Sequence, residues 1–369
     1  MKFKVDLKEL GDALGYVSDV LERRFTYPIL TNVLIDVDRD GQVRLRGTDH
    51  DMTLIAVLEA EDVVEPGAVT IPGRRSLDVV NSIGVQGSIA EISTVSSGVL
   101  LKVGRSDFLL ATMPVDDFPP ATNIVDPVRI TLTVDDFMVL LRAATSSMAQ
   151  NNVRRQLNGT LLELTSTHIR TVATDGMMMC VCTNTAIQGD SDSVIQVIVP
   201  RKAVLELVRG FGSESGSVTL SIGSNAISVE GERRALTTNY VDSKFPPYQP
   251  AIPQPSEAVL KCSREALERA IRQAATLSDE GHKVYFNVER DTMKVSASTE
   301  VGDRADVVIP VDYGENSTNV IFRHDRIRNM LASLDCEVVS FHIRNPTESV
   351  RVDSEEQENV LFVVSPIRG

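Results

Sequence analysis

The sequence lacks any apolar run of the length that a signal peptide or a membrane span needs. Its opening, MKFKVDLKEL, alternates apolar and polar residues, and no membrane-length run follows in the 369 residues. We therefore expect a cytoplasmic protein with no membrane partner. Apolar residues make up 42% of the chain and charged residues 24%, a balance that excludes an intrinsically disordered chain and allows well-packed cores.

Cysteine and positive charge are also scarce. The four cysteines are too few and too isolated for a disulfide framework, so we expect reduced core residues at Cys180, Cys182, Cys262 and Cys336. The net charge of −14 excludes a protein that holds nucleic acid by a globally basic surface, because phosphate binding depends on Lys and Arg. Any role on DNA must then rest on local basic patches or on topology.

The motifs of common enzyme classes are missing as well. No GxxxxGK(S/T) loop, GxSxG elbow or HExxH helix occurs, and GFGSESG from Gly210 has the wrong glycine spacing for a nucleotide loop, so we predict a connector. Cys180 and Cys182 are one residue apart, which does not fit a CxxC site. No metal-ligand spacing joins the five histidines, His50, His168, His282, His324 and His342. We predict a non-enzymatic protein with no cofactor and no metal.

What the chain does contain is a threefold internal repeat. The opening FKVDLKEL from Phe3 returns as ITLTVDDF from Ile130 and as LKCSREAL from Leu260. In each copy an alternating segment leads into a helical apolar pattern, which predicts a strand followed by a helix.

A second strand-then-helix unit recurs later in each copy. Its sequences are VTIPGRRSLDVV from Val69, VIVPRKAVLELV from Val197 and VIFRHDRIRNML from Val320. Alternating runs with turn signals lie between the two units, and we interpret these as strand hairpins. Proline-rich breaks, DDFPPATNIVDP and SKFPPYQPAIPQP, end the first two copies. We predict three domains, over residues 1–122, 128–250 and 256–369, each with two helices and about eight short strands.

A geometric argument extends the repeat to a ring hypothesis. If helices of roughly 10 Å diameter line the inside of a closed array with strands outside, the six helices of one chain leave a hole of only ~9 Å. Two chains leave a hole of ~28 Å. A duplex is at least twice as wide as its major groove is deep, ~8.5 Å, and the hole exceeds this minimum width. A homodimer could therefore encircle DNA, whereas a monomer could not.

The predicted inner helices carry a modest basic excess, which favours loose, sequence-independent contact with phosphates. Each charge taken singly also fits a solvated helix face, and acids such as Glu22, Asp78, Glu206 and Glu268 are interspersed. The basic residues are Arg23, Arg24, Arg74, Arg75, Arg142, Arg201, Lys202, Arg209, Arg264, Arg269, Arg272, Arg323, Arg326 and Arg328.

Three carboxylates keep a rival function open. Asp49, Asp51 and Asp175 could suggest a metal-dependent DNA phosphoesterase, since paired carboxylates bind divalent cations. Asp49 and Asp175 occupy equivalent positions in two copies of the repeat, which favours a structural role in a turn. A repeat scaffold unrelated to DNA is the other alternative.

Several long strings are spread over the whole chain: YPILTNVLI, GTDHDMTL, SSMAQNNVRRQLNGTLLE, TVATDG, VIVPRKAV, KFPPY and the terminal FVVSPIRG. Together, and in this order, they resemble the bacterial DNA polymerase III beta subunit family, the beta sliding clamps. The resemblance implies an α+β DNA clamp fold of three repeated domains, with helices inside and antiparallel sheets outside, closing as a head-to-tail dimeric ring. It also implies a polymerase processivity factor within the polymerase III holoenzyme.

The family resemblance implies the partners of the chain as well. They are encircled duplex DNA, the replicative polymerase catalytic subunit, an ATP-driven clamp loader, and other polymerases and repair proteins with tails like Gln-Leu-x-Leu-Phe. These tails would enter a pocket between the second and third domains. By resemblance its wall is Leu157, Thr174, Gly176, Met177, Met178, Met179, Pro246, Ala251, Thr347, Ser349, Val363, Val364, Ser365, Pro366, Ile367 and Arg368.

The chain departs from the family at this pocket. Met177 and Met178 stand where His-Arg is common, and the chain ends in Ser365-Pro366-Ile367-Arg368-Gly369 where Met-Pro-Met-Arg and an aliphatic residue are common. We expect a pocket with altered preferences, because flexible methionines suit an adaptable groove. Considered without the resemblance, Met177 to Met179 fit plain core filling.

The resemblance also assigns residues to the other two surfaces. It implies that Arg24, Asn151, Gln156, Arg201 and Lys202 face DNA, although Asn151 and Gln156 replace other residues common in the family. It places Phe108 and Leu110 of the first domain, and Thr276 and Leu277 of the third, at the dimer interface. An apolar contact between unlike patches closes a ring if the rotation fits.

Overall fold

The computed structural model describes residues 1–22, 27–84, 87–185, 194–315 and 317–367, and elements are named in chain order. The first third contains β1 (Lys2–Asp6), α1 (Leu7–Ser18), η1 (Pro28–Thr31), β2 (Asn32–Val37), β3 (Gln42–Thr48), β4 (Met52–Glu59), β5 (Asp62–Glu65), β6 (Gly67–Pro72), α2 (Gly73–Ile83), β7 (Ile89–Val95), β8 (Gly98–Val103), β9 (Ser106–Leu110) and η2 (Val115–Asp117), where η marks a short 3-10 helix.

The other two thirds continue the same pattern. The middle third contains β10 (Val128–Thr133), α3 (Val134–Thr145), η3 (Arg155–Leu157), β11 (Gly159–Leu164), β12 (Ile169–Thr174), β13 (Met178–Asn184), β14 (Ile195–Pro200), α4 (Arg201–Phe211), β15 (Ser217–Ile222), β16 (Ala226–Glu230), β17 (Arg234–Asn239) and η4 (Gln249–Ala251). The last third contains β18 (Val259–Ser263), α5 (Arg264–Ala274), η5 (Ala275–Leu277), β19 (Lys283–Val288), β20 (Thr292–Ser298), β21 (Arg304–Pro310), β22 (Asp312–Tyr313), β23 (Thr318–Arg323), α6 (His324–Leu331), β24 (Val338–His342), β25 (Val350–Asp353) and β26 (Val360–Val364).

All six predicted strand-then-helix units are confirmed, as β1–α1, β6–α2, β10–α3, β14–α4, β18–α5 and β23–α6. Local chemistry sets where two of these helices begin. Asp6 ends β1, and its side chain accepts hydrogen bonds from the Lys8 and Glu9 amides at 2.8 and 3.0 Å. The hydroxyl of Ser263 accepts one from the Ala266 amide in α5. Such caps satisfy amides that a helix start leaves without partners.

The predicted hairpins and the glycine-rich connector are confirmed too. The pairs β2 and β3, β11 and β12, and β19 and β20 are each antiparallel neighbours. The segment from Gly210 joins the end of α4 to β15, as expected of a connector. The four cysteines are free and buried, and burial raises the pKa of the Cys182 and Cys262 thiols to about 12. None of the helices in the described ranges is long and apolar enough to cross a membrane.

The described residues form two compact units. The first comprises residues 1–134 and 209–240, and the second comprises residues 135–208 and 241–369. In the first unit one sheet has the strand order β5-β1-β7-β8-β9, and the other has the order β10-β15-β16-β17-β4-β3-β2-β6. Leu10, Leu14 and Val17 of α1 are buried, as its helical apolar spacing predicts.

The second unit contains a nine-stranded sheet, β14-β11-β12-β13-β26-β25-β24-β18-β22, and a four-stranded sheet, β21-β20-β19-β23. Strands of the second and third repeats join where β13 pairs with β26, so that Met178 lies opposite Val364 and Met179 opposite Val363. The sheets therefore continue across the proline-rich breaks. The domain limits predicted from those breaks stay a proposal.

Candidate functional site

A groove of about 540 Å³ lies in the second unit, beside the last described residues of the chain. Its wall comes from the β12–β13 turn, the start of β19, the β23–α6 junction, the loop before β25 and the C-terminal segment. The lining residues are Met177, Gly281, Lys283, Arg323, Arg326, Thr347, Ser349, Ser365, Pro366 and Ile367.

The β12–β13 turn presents Met177 to the groove. The Asp175 carboxylate accepts hydrogen bonds from the Met177 and Met178 amides at 2.8 and 2.7 Å. Gly176 has φ +93°, a conformation that L side chains rarely adopt. The turn leaves Met177 42% exposed while Met178, one residue on, is buried in β13.

The C-terminal segment is held by backbone bonds on both sides of the groove. The Ser365 amide donates to the Met177 carbonyl at 2.8 Å, and the Ile367 amide donates to the Ile321 carbonyl in β23 at 2.8 Å. The hydroxyls of Ser349 and Ser365 lie 3.2 Å apart. Residues far apart in sequence thus form one surface.

Two arginines occupy the α6 side of the groove. Arg326 donates to Asp175 at 3.0 Å, which ties α6 to the β12–β13 turn. Arg323 makes a bidentate pair with Asp325, with distances of 3.0 and 2.8 Å. Burial alone would raise the pKa of Asp325, but the hydrogen bonds and charge of Arg323 outweigh it and hold this pKa below its ordinary value.

A buried polar network centres on Glu163 of β11, in the second unit. Glu163 is only 5% exposed and accepts hydrogen bonds from Arg170 at 3.2 Å, Gln196 at 2.6 Å and Tyr248 at 3.0 Å. Burial would raise the pKa of Glu163, but these bonds and the Arg170 charge keep it below its ordinary value. Because Tyr248 belongs to the proline-rich segment, the network anchors that segment against β11.

Six of the predicted pocket residues line the groove: Met177, Thr347, Ser349, Ser365, Pro366 and Ile367. The structure does not place the others on its wall. Leu157, Met178, Met179, Val363 and Val364 are buried, and Met179 and Val363 pack in one apolar cluster with Phe245 and Tyr248. Thr174, Gly176, Pro246 and Ala251 are at least partly exposed but do not line this groove. Arg368 lies outside the described residues.

Met177 to Met179 therefore divide between the two predicted roles. Met178 and Met179 are buried on opposite faces of β13, as plain core filling would have them, and β26 pairs along the edge of this strand. Met177 precedes the strand and stays exposed. Four lining residues were not predicted for the pocket: Gly281, Lys283, Arg323 and Arg326. Arg323 and Arg326 belong to the last strand-then-helix unit and were predicted among the inner-helix cations, whereas Lys283 begins the hairpin strand β19.

The residues predicted to face DNA that are described gather around the loop before β11. Asn151 is exposed with φ +55°, and Gln156 lies in η3. Arg201, the first residue of α4, donates to the Met148 carbonyl at 3.1 Å, and Lys202 follows it exposed. Arg24 lies outside the described residues. Exposed Arg154 and Arg155 in the same loop were missed.

The predicted interface residues lie on two separate elements. Phe108 and Leu110 are in β9, an edge strand, where Leu110 is 9% exposed and Leu109 is 57% exposed. Thr276 and Leu277 are in η5, where Thr276 is exposed and Leu277 is half-buried. Leu109 was not predicted for the interface. Strand alternation could have indicated its exposure, because its side chain points to the opposite face of β9 from those of its two neighbours.

Asp49 and Asp175 have the structural turn role that their repeat positions predicted. Asp49 accepts from the Asp51 and Met52 amides at 3.2 and 2.8 Å, as Asp175 does from Met177 and Met178. Within the described ranges no group of three or more His, Cys, Asp or Glu side chains could hold a metal ion.

Comparison with known proteins identifies the family. Sequence models of the DNA polymerase III beta subunit match in order, with the N-terminal domain at residues 1–123, the central domain at 131–247 and the C-terminal domain at 249–368. The chain belongs to the DNA polymerase III beta subunit family. This membership makes it a sliding clamp of three clamp domains and a polymerase processivity factor, and gives no support to a phosphoesterase or an unrelated scaffold.

Similar proteins cover the chain from end to end. The beta sliding clamps of Salmonella typhimurium and Escherichia coli strain K12 are 32% and 33% identical over 369 residues, covering 100% of both chains. The crystal structure of the sliding clamp from Pseudomonas aeruginosa bound to griselimycin is 30% identical, covers 100% of both chains and has a TM-score of 0.94. The clamp fold predicted from the sequence is therefore confirmed.

Proposed function

We propose that two copies of this chain close head to tail into a ring that encircles duplex DNA. The observation that carries the proposal is the sixfold recurrence of the strand-then-helix unit, which provides two helices in each of three clamp domains. Twelve helices of roughly 10 Å diameter can line a hole wide enough for a duplex, whereas six cannot. The domain limits 1–122, 128–250 and 256–369 belong to this proposal.

Two edge strands support ring closure. β9 ends the five-stranded sheet of the first unit and exposes Leu109, and β21 ends the four-stranded sheet of the second unit and exposes Val308. Unpaired strand edges offer backbone groups to another chain. Leu277 of η5 packs beside β21, so the residues assigned to the interface, Phe108, Leu110, Thr276 and Leu277, adjoin these two edges.

The DNA contact is loose and sequence-independent. Arg24, Arg201 and Lys202, with Asn151 and Gln156, are the residues assigned to it, and Lys and Arg there meet phosphates rather than base edges. The net charge of −14 limits the gain from counterion release, so retention on DNA is topological. A closed ring then needs an ATP-driven loader to open it.

The groove beside the C-terminal segment is the site for partner tails. It combines an apolar wall of Met177, Pro366 and Ile367 with hydroxyls of Thr347, Ser349 and Ser365. Apolar anchors of a Gln-Leu-x-Leu-Phe-like tail suit such a wall. Partners are the replicative polymerase, the loader, and other polymerases and repair proteins. We infer that the chain acts without catalysis of its own, and the carboxylates of the rival phosphoesterase hypothesis, Asp49 and Asp175, accept hydrogen bonds that hold turns.

Retention on circular DNA tests the ring. Protein loaded onto nicked circles should stay bound in high salt and leave when the circle is linearised. Leu277→Asp should shift the dimer to monomer in sedimentation and abolish retention, because burying an unpaired charge costs several kcal/mol. Val194→Asp places the same charge at an exposed apolar residue outside the assigned interface, and this control should leave both unchanged. Equal retention on circles and linear DNA would contradict the proposal.

A further inference from the structure

Two of the five histidines, His282 and His324, lie side by side in the second unit. His282 precedes β19, His324 is the first residue of α6, and the His324 amide donates to the His282 carbonyl at 2.9 Å. Their rings meet edge to face with centroids 5.0 Å apart, and His282 Nδ1 lies 3.2 Å from His324 Nε2. A single proton between these two nitrogens forms an N–H···N hydrogen bond whichever ring carries it.

A serine hydroxyl extends this pair to the assigned ring interface. Ser278 Oγ lies 3.1 Å from His324 Nε2, and Ser278 directly follows η5, which contains the interface residue Leu277. The turn between η5 and β19 is closed where the His282 amide donates to the Asp279 carbonyl at 3.0 Å. The side chains of Ser278, His282 and His324 thus join this turn to α6, and we call these three residues the histidine latch.

The hydrogen bond between the two rings cannot survive protonation of both. The second proton puts an N–H group on each of the facing nitrogens, so the bond is lost and two like charges are left in contact. His324 Nδ1, on the other side of its ring, is buried and has no hydrogen-bond partner within the described residues. Protonated His324 would therefore also leave a buried donor unpaired, which the fold opposes.

The surrounding charges favour the neutral form of His324 as well. Burial lowers the pKa of His324 below its ordinary value of 6.5. The charged groups that act on it are Asp325, which favours protonation, and His282, Arg328 and Arg323, which oppose it. In the η5–β19 turn, the Asp279 carboxylate accepts from a backbone amide at 2.9 Å. Because this pKa is lowered, the contribution of His324 to stability is present above pH 6.5 and is lost as the pH falls through the folded value.

We propose that the histidine latch makes the ring interface sensitive to acid. Protonation of both imidazoles releases the η5–β19 turn from α6, frees η5 with Leu277, and weakens the dimer. This inference rests on the proposed head-to-tail ring. Because histidine is the side chain whose ordinary pKa lies between pH 5 and pH 8, the response falls in the range of mild acidification. The two rings titrate as a pair, so the loss of closure follows their second proton.

The dissociation constant of the full-length dimer tests the inference. Sedimentation at a series of protein concentrations should show this constant rising about tenfold from pH 7.5 to pH 5.5 in the parent. His324→Gln keeps a side chain that can hydrogen-bond to Ser278 but cannot become charged, and should limit the rise to about twofold or less. His342→Gln replaces another half-buried histidine of the same unit, and this control should keep the rise of the parent.

Hydrogen exchange reports on the latch independently of the dimer. After correction for the intrinsic pH dependence of exchange, residues 275–283 should lose protection at pH 5.5 in the parent and keep it in His324→Gln. A dissociation constant that is the same at both pH values in the parent, or that rises equally in His324→Gln, would overturn the inference and leave the ring standing. A parent that is monomeric at pH 7.5 would overturn the ring proposal, and with it the acid response of its interface.

Discussion

Two turns related by the internal repeat have the same hydrogen bonds but different surroundings. In the β3–β4 turn the Thr48 hydroxyl donates to the Met52 carbonyl at 2.9 Å, and in the β12–β13 turn Thr174 donates to Met178 at 2.7 Å. The Asp that follows each Thr accepts from two amides of its turn. The residue after each Asp has positive φ, 75° at His50 and 93° at Gly176.

The differences lie in what each turn touches. Asp175 also accepts from Arg326 of α6, and the Met177 carbonyl accepts from the amide of Ser365. The strand after the second turn, β13, pairs with β26, whereas the strand after the first turn, β4, pairs with β17. The two copies of the repeat thus share the geometry of the turn. The elements packed against the β12–β13 turn make that copy part of a groove.

Removing the C-terminal segment should have the largest effect on peptide binding. Deletion of residues 365–369 takes away the partner of the Met177 carbonyl and part of the groove wall. We expect peptide affinity to fall about thirtyfold or more, because the anchor pocket carries most of the binding energy. Calorimetry would measure affinity, and sedimentation on the same preparation should show an intact dimer. Undiminished affinity in the truncated dimer would remove the pocket assignment.

Replacement of the turn aspartates should lower the free energy of unfolding by different amounts in the two turns. Asp175→Ala removes two turn hydrogen bonds and also leaves Arg326 without its carboxylate, so we expect a loss of about 3 kcal/mol in the free energy of unfolding. Asp49→Ala removes the corresponding turn bonds and should cost about 1.5 kcal/mol. Asp175→Asn keeps the turn acceptor and should be intermediate. Urea unfolding would measure all three, and equal costs would contradict the contrast.

Substitution of the two residues with positive φ should change stability by different amounts. Gly176→Ala places a Cβ in a strained conformation and 3.3 Å from Arg154, and should cost about 1–2 kcal/mol. His50→Gly relieves the same kind of strain but loses an edge contact with the Tyr27 ring, whose centroid is 5.9 Å away, so its net change should lie within about 0.5 kcal/mol. Thermal unfolding would compare them. A Gly176→Ala protein as stable as the parent would count against strain at this turn.

Acidification should produce the smallest difference in stability. The group concerned is Asp325 in α6, the helix that Arg326 joins to the β12–β13 turn. The pKa of Asp325 is lowered in the folded protein, so its contribution to stability is present above the ordinary pKa of 3.8 and is lost as the pH falls through the folded value. Asp325→Asn should therefore lose less stability than the parent between pH 5 and pH 3. Unfolding midpoints at the two pH values would show this, and equal losses would exclude the effect.

Local patterns were sufficient for the elements and their order. The period of apolar residues predicted six strands that each lead into a helix, and the Asp in TDHD and TDG predicted the turns that Asp49 and Asp175 hold. The reason is that caps, turns and amphipathic faces depend on side chains a few residues apart, which the sequence displays directly. The family resemblance supplied Met177 and the C-terminal residues of the groove.

The rest of the groove was decided by tertiary structure alone. Pairing of β13 with β26 places Met178 and Met179 opposite Val364 and Val363. The bond from Ile367 to Ile321 brings the C-terminal segment to the groove that Lys283 and Arg323 also line. These residues are separated by many tens of positions, and no local period relates them. Strand pairing across that separation depends on which strands fit together in the folded chain, so the groove and its charge appear only once the sheets have formed.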